Sequence, residues 1–298
     1  MKVTLAATQM ACDWDIEGNL DRAEALVRWA ASDGAQIVLL QELLATPYFC
    51  PDQNSEHFAL AHSATGHPVI GRFAAPAAEL GVVLPISVFE RANNAYFNSV
   101  AVAVADADGA LLGLYRKSRI PQGPGYEEKF YFSPGDTGFR VWDTAFGRIG
   151  VGICWDQWFS ECARAMALQG AELLFYPTAI RSEPSDPDHD SKDHWQRAMQ
   201  GHAAANMVGL VASNRIGVER NPAAQMIFYG HFFIADETGA KLAECDRCNE
   251  AVVLAEFNLA AMRSRRATWG LFRDRKPDLY GLLLSLDGGR RAPGGAED

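Results

Sequence analysis

The chain opens with a mainly apolar run over residues 3–9, the pattern of a strand. From Asn19 the period lengthens, and Ala23, Ala25, Leu26 and Ala30 recur at helical spacing until Gly34 stops them. Residues 37–40 return to a short buried strand. Strand, amphipathic helix and strand in this order predict a βαβ unit within a layered α/β sheet. Residues 68–80 predict a helix capped by Gly81, and residues 82–89 the next strand. Asn93-Asn94 marks a turn, 96–104 a strand, and Asp106-Ala107-Asp108-Gly109 a hairpin turn into a strand over 111–115. These hairpins add antiparallel pairs to the parallel unit, so the sheets are expected to be mixed.

Two stretches break the periodicity. Residues 43–51 are interrupted by proline, and 118–138 are rich in proline and glycine; loops of that length in an α/β chain are usually functional. An apolar run over 149–153 then ends at Cys154, and Phe159, Cys162, Ala163 and Met166 begin a helical face. That reads as strand, sharp turn, helix, with Gly150 and Gly152 allowing other backbone to approach. Further strands are expected over 172–176, 208–213, 227–235 and 251–257, with a turn at Asp236-Glu237-Thr238-Gly239. Residues 180–190 form an acidic, proline-broken loop, and Ser191 caps the next helix. A short helix over 258–266 carries Arg263, Arg265 and Arg266, a solvated or subunit-contact face. With no internal repeat and no linker, one domain is expected over 1–286, and a mobile tail over 287–298.

Composition narrows the function classes. Apolar residues make up 48% of 298, ample for a large core, and the net charge of -10 with no basic stripe argues against nucleic acid. No apolar run approaches the roughly 20 residues of a membrane span, and no secretory leader is apparent. Six scattered cysteines are most simply reduced thiols, so a cytoplasmic protein is expected. Cys245-Asp246-Arg247-Cys248 has the spacing of half a metal or redox site, but no second pair exists and a turn is the simpler reading. The cluster Asp186, Asp188, His189 and Asp190 does not follow a calcium-loop pattern. No metal and no cofactor are expected.

Three strand ends carry chemistry. Glu42 follows the strand at 37–40, Lys117 the strand at 111–115, and Cys154 the strand at 149–153. The carboxyl ends of strands are where open α/β sheets place ligands. Each residue alone has an ordinary explanation, a charged group where chain meets water or a buried small hydrophobe, but the three together suit nucleophilic catalysis. A free thiol has a pKa of about 8.5, and a nearby Lys117 and a helix N-terminus would favour its thiolate. The seven histidines end no clear strand, which leaves a Cys–His pair as the weaker alternative.

These residues sit in longer motifs. They are Tyr115-Arg116-Lys117-Ser118, Gly123-Pro124-Gly125-Tyr126-Glu127-Glu128-Lys129-Phe130-Tyr131-Phe132 and Ile153-Cys154-Trp155-Asp156-Gln157-Trp158, with Phe175-Tyr176-Pro177-Thr178-Ala179-Ile180, Asp193-His194-Trp195, Ala212-Ser213-Asn214-Arg215 and Phe272-Arg273-Asp274-Arg275. Through them the chain resembles the nitrilase superfamily of carbon–nitrogen hydrolases, from about residue 3 to residue 287. The resemblance implies a four-layer α-β-β-α sandwich with mixed sheets, pairing into a homodimer or higher homo-oligomer. It implies a Glu42–Lys117–Cys154 triad and a second active-site glutamate at Glu128, where spacing alone does not separate Glu128 from Glu127. Cys154 would attack an amide or ureido carbon, Glu42 would carry the proton, and Lys117 with the N–H after Cys154 would hold the oxyanion.

The remaining question is the substrate's far end. A carbamoyl amino acid calls for Arg or Lys, whereas a carbamoylated diamine, a ureido amine, carries an ammonium and calls for Glu or Asp. Glu183 is expected to receive that ammonium, with Tyr126 and Trp155 flanking an aliphatic linker and Asp156 on the substrate side. Arg181 cuts the other way, either facing solvent or binding a carboxylate. A nitrile hydrolase of the same superfamily and a non-catalytic thiol sensor are the rival readings.

Overall fold

The computed structural model describes residues 1–103, 111–183, 186, 188–221 and 225–289. Its strands are β1 (Lys2–Met10), β2 (Ile37–Leu39), β3 (Leu84–Ala92), β4 (Ala95–Ala103), β5 (Leu111–Arg116), β6 (Val141–Thr144), β7 (Gly147–Val151), β8 (Leu173–Pro177), β9 (Gly209–Arg215), β10 (Val218–Arg220), β11 (Gln225–Ile227), β12 (Phe233–Ala235), β13 (Lys241–Glu244) and β14 (Ala251–Asn258). The helices are α1 (Ile16–Ser32), α2 (Pro68–Leu80), α3 (Glu128–Tyr131), α4 (Ser160–Leu168), α5 (Lys192–Asn206) and α6 (Leu259–Trp269).

The continuous apolar runs are explained by strands covered on both faces. In β1, Leu5 and Ala7 point into a core shared with Leu173, Phe175 and Val211, while Ala6 packs outward against α1 and α2. The same alternation splits Ile37 and Leu39 from Val38, and Phe175 from Leu174 and Tyr176. One sheet runs β14-β1-β2 and continues, through a parallel bridge between Ile37 and Val83, into the antiparallel meander β3-β4-β5. The other runs β13-β12-β9-β8-β7-β6, with β7, β8 and β9 parallel. They meet where β1 pairs with β9 at Gln9–Asn214 and Met10–Arg215. Helices α1 and α2 cover the first sheet and α4 and α5 the second, giving the expected four-layer α-β-β-α sandwich with mixed sheets.

Some boundaries differ from the sequence pattern. Helix α1 starts at Ile16 because the Asp15 side chain accepts from the Gly18 N–H; Asn19 lies inside it, buried and donating to the carbonyls of Asp13 and Ala45. The run at 227–235 is two strands, since Gly230 and His231 both have positive φ and a side chain on Gly230 would meet the backbone of Asp246 and Arg247. Ser191 sits at the α5 N-cap position, but Asp190 accepts from the Lys192 N–H while the Ser191 hydroxyl faces Tyr229. The arginines of α6 dock onto their own chain: Arg263 on Glu172, Arg265 on Glu237, and Arg266 on the Met207 carbonyl. The turn expected at 106–109 and most of the tail, 290–298, lie outside the described residues. Among the described residues no helix is long and apolar enough to cross a membrane.

The glycines beside Val151 serve side-chain packing rather than backbone approach. A Cβ on Gly152 would lie 2.8 Å from Tyr176 Cε1 and 3.1 Å from Cys162 Sγ, both fully buried. Gly152→Ala is therefore expected to lose roughly 1–3 kcal/mol in urea denaturation by overpacking; an unchanged midpoint and slope would show that this layer yields freely.

Candidate active site

Glu42 lies in the turn after β2, its N–H donating to the Thr178 carbonyl at 3.3 Å, and the next residue, Leu43, has φ 48. Lys117 directly follows β5, and its backbone bonds Asn98 O on one side and Gly135 N on the other, each at 2.8 Å. Gly135 is required there, because a Cβ would run into the Arg116 carbonyl. Glu128 opens α3, the one regular turn in the long loop after β5. Cys154 follows β7 with φ 42, a left-handed conformation that costs a non-glycine residue about 1–3 kcal/mol. It begins a short 3-10 turn, Cys154–Trp158, and the full helix α4 starts only at Ser160, so the thiol does not sit on the end of a long helix.

These turns bring the side chains together. Lys117 Nζ lies 3.0 Å from Glu42 Oε1 and 2.7 Å from Glu128 Oε2, and all three groups are buried. Asn98 Nδ2 donates to Glu42 Oε1 at 2.7 Å, and the Tyr48 hydroxyl to Glu128 Oε1 at 2.7 Å. Glu42 Oε2 is buried with no hydrogen-bond partner among the described residues. Glu127, the neighbour that spacing could not separate from Glu128, instead accepts from Gln53 and Gln122.

Electrostatics then set the proton positions. Burial alone would lower the Lys117 pKa, but Glu128 and Glu42 outweigh it and hold the ammonium charged. Burial pushes the Glu128 carboxyl up, opposed by Lys117 and the Tyr48 hydrogen bond. The Cys154 thiol is pushed well up, by burial first and then by Glu42; Lys117 and a hydrogen bond from the Ala179 backbone act in the opposite direction. Lys117 does favour the thiolate as expected, but burial and the Glu42 and Glu128 carboxyls outweigh it and push the thiol up. A thiol pushed toward its neutral form, close enough to the Glu42 carboxyl to feel its charge, is an arrangement in which deprotonation can accompany attack on a carbonyl.

The other expected residues divide. Tyr126 donates to Glu183 Oε1 at 3.3 Å. Arg181 does not face solvent: it is fully buried, stacked 4.2 Å from the Tyr126 ring centroid, and donates to the carbonyls of Gly125 and Ser182. Trp155 is partly exposed and stands edge-on to Trp158, which packs on His194. Asp156 departs from the expected substrate contact, because its carboxylate is fully buried and already accepts from the Tyr115 hydroxyl and the N–H groups of Ile153 and Arg119. It braces the Cys154 turn from inside. Asn98, Tyr48 and Arg215 were not singled out by sequence reasoning. The Asn98-Ser99 pair inside an apolar strand was a signal for the first; Tyr48 sits in a proline-broken loop with none.

A family model described as carbon-nitrogen hydrolase matches residues 4–267. The chain belongs to the carbon–nitrogen hydrolase family. It is 58% identical to an N-carbamoylputrescine amidase of Solanum tuberosum, with 96% of each chain covered. It is 51% identical to a citrullinase of Francisella tularensis, covering 95% of this chain and 98% of that one. A solved carbon–nitrogen hydrolase from Helicobacter pylori G27 superimposes with a TM-score of 0.89 at 36% identity, covering 96% of this chain and 99% of that one. As a carbon–nitrogen hydrolase, the chain is an enzyme acting on small molecules.

The raised thiol has a direct consequence. The rate of Cys154 alkylation by iodoacetamide should still be climbing at pH values where an ordinary cysteine, pKa about 8.5, has levelled off. Glu128→Gln, which removes one opposing negative charge, should make the modification faster at neutral pH. A rate that plateaus below neutrality in the unaltered enzyme would mean that Lys117 dominates the pocket.

Proposed function

We propose that this enzyme hydrolyses a ureido amine, N-carbamoylputrescine, to putrescine, carbon dioxide and ammonia through a covalent intermediate on Cys154. The observation that carries the substrate assignment is the pairing at the loop after β8. Glu183 offers a carboxylate beside the Tyr126 hydroxyl, while the neighbouring cation, Arg181, is buried against Tyr126 with both terminal nitrogens donating to backbone carbonyls. An ammonium tail finds a partner there, and a carboxylate tail does not. The plant relatives named N-carbamoylputrescine amidase support the same reading.

In this reading Cys154 Sγ adds to the ureido carbon as Glu42 takes the thiol proton. Lys117 and the Trp155 N–H stabilise the oxyanion, and Glu128 orients Lys117. Glu42 passes the proton to a leaving nitrogen as its C–N bond breaks, and an S-acyl enzyme remains. Glu42 then removes a proton from water, which attacks the same carbon and expels the sulfur. Glu42 returns that proton to the sulfur, and the carbamic acid released breaks down to carbon dioxide and the nitrogen that did not leave first, ammonia or putrescine. Tyr126 and Trp155 flank the aliphatic linker, and no cofactor enters any step.

The citrullinase relative favours a second substrate, a ureido amino acid, whose tail adds a carboxylate to the ammonium. Arg181 would have to release the Gly125 carbonyl to meet it. We place the enzyme in the cytoplasm on its six unpaired thiols. We also infer a homodimer or larger assembly, because Leu279, Leu283, Leu284 and Leu286 are exposed together beyond α6. Residues 1–286 are read as one hydrolase unit built on the core between the two sheets.

A panel of ureido compounds with cationic, zwitterionic and anionic tails tests the assignment. The cationic tail should give the highest kcat/KM, and Glu183→Gln should raise KM for it about tenfold or more, the loss of one charge-assisted contact. Preference for the anionic tail, or an unaltered KM in Glu183→Gln, would remove the specificity claim. Cys154→Ala should abolish turnover of every member.

A further inference from the structure

Behind the catalytic cluster lies a second buried ion pair. Arg215, the last residue of β9, is fully buried and pairs with Glu219 at 2.8 Å. Its other side-chain hydrogen bonds go to backbone carbonyls of one loop, Thr46 O at 2.8 Å, Glu42 O at 2.9 Å and Leu43 O at 2.7 Å. The carbonyls of Glu42 and Leu43 flank the left-handed Leu43, a conformation that persists only where its surroundings over-determine it. Glu219 uses its second oxygen to accept from the Tyr48 N–H at 2.6 Å. Tyr48 is the residue whose hydroxyl donates to Glu128.

The geometry points to Arg215 and Glu219 as positioning residues that set both active-site carboxylates from one buried ion pair. Arg215 fixes the turn that aims Glu42, and Glu219 fixes the backbone of Tyr48, whose ring carries the hydrogen bond to Glu128. The path to Glu42 runs through carbonyls and the path to Glu128 through a tyrosine, so neither positioning residue touches the substrate. Arginine is required because a planar fork reaches three carbonyls and a carboxylate together, which a lysine ammonium on a flexible stem does not. A small misplacement of a catalytic group costs up to about 10²-fold in rate, so this frame acts on kcat rather than on binding. The inference rests on the assignment of Glu42 and Glu128 to the chemistry.

Steady-state kinetics, pH profiles and thermal midpoints of Arg215→Lys, Glu219→Gln, Tyr48→Phe and the double Glu219→Gln/Tyr48→Phe test it, with Glu42→Gln as reference. Arg215→Lys should lower kcat about tenfold or more with KM changed less than about twofold. Tyr48→Phe should move the acid limb of kcat/KM to higher pH, because the lost hydrogen bond favoured the Glu128 carboxylate. Since Glu219 reaches Glu128 through Tyr48, Glu219→Gln should lower kcat alone and add little to Tyr48→Phe. A folded Arg215→Lys with unaltered kcat overturns the proposal. So does strict additivity of the Glu219 and Tyr48 changes, which decides the matter even if Arg215→Lys does not fold. An active Glu42→Gln would instead sink the catalytic assignment itself, whereas an inactive Glu42→Gln beside three variants of unaltered kcat would refute the frame alone.

Discussion

One ammonium held between two carboxylates, with no water-exposed surface on any of the three, is the constraint around which the molecule is arranged. Taking such charges out of water costs several kcal/mol per ion, and the attraction offsets it only if geometry is exact enough to satisfy the remaining donors and acceptors. Lys117 meets Glu42 and Glu128, Asn98 and Tyr48 fill further acceptor positions, and one Glu42 oxygen has no partner among the described residues.

The rest of the fold supplies that geometry. The two sheets meet at β1 and β9, so the turns after β2, β5 and β7 and the loop after β8 converge on one side of the shared core. Asn98 ties the strand before Lys117 to Glu42, its backbone bonding Lys117 and its side chain the carboxylate. Asp156, buried under the Cys154 turn, does the corresponding work for that turn. Burial and the nearby Glu42 carboxyl push the Cys154 thiol up, against the pull of Lys117.

Much of this was legible in the residues. The strands with both faces apolar announced a layered sheet, Pro68–Leu80 with its Gly81 cap was readable to the residue, and Glu42, Lys117 and Cys154 stood out because each interrupts an apolar run at its end. Glu128 came only through the family motif, since nothing in Tyr126-Glu127-Glu128-Lys129 says which glutamate turns inward. That Lys117 favours the Cys154 thiolate was legible; what the sequence did not show is that burial and the Glu42 and Glu128 carboxyls push the thiol the other way, a property of three dimensions. Asp156 misled in the same way, because a carboxylate next to a nucleophile gives no sign of whether it faces the cleft or the core. Arg215 lay in a recognisable motif, yet its contacts are carbonyls, which carry no side-chain signature at all.

The central claim is that the ureido carbon becomes bonded to Cys154 with Glu42 moving the proton. Acid-quenched intact mass spectrometry during turnover, with the modified peptide located by fragmentation, tests this most directly. An adduct carrying the substrate carbonyl on Cys154 of the unaltered enzyme, formed far more slowly in Glu42→Gln, is the predicted result. Sustained turnover with no adduct on that sulfur, under conditions where hydrolysis of the acyl-enzyme is made rate-limiting, would contradict it.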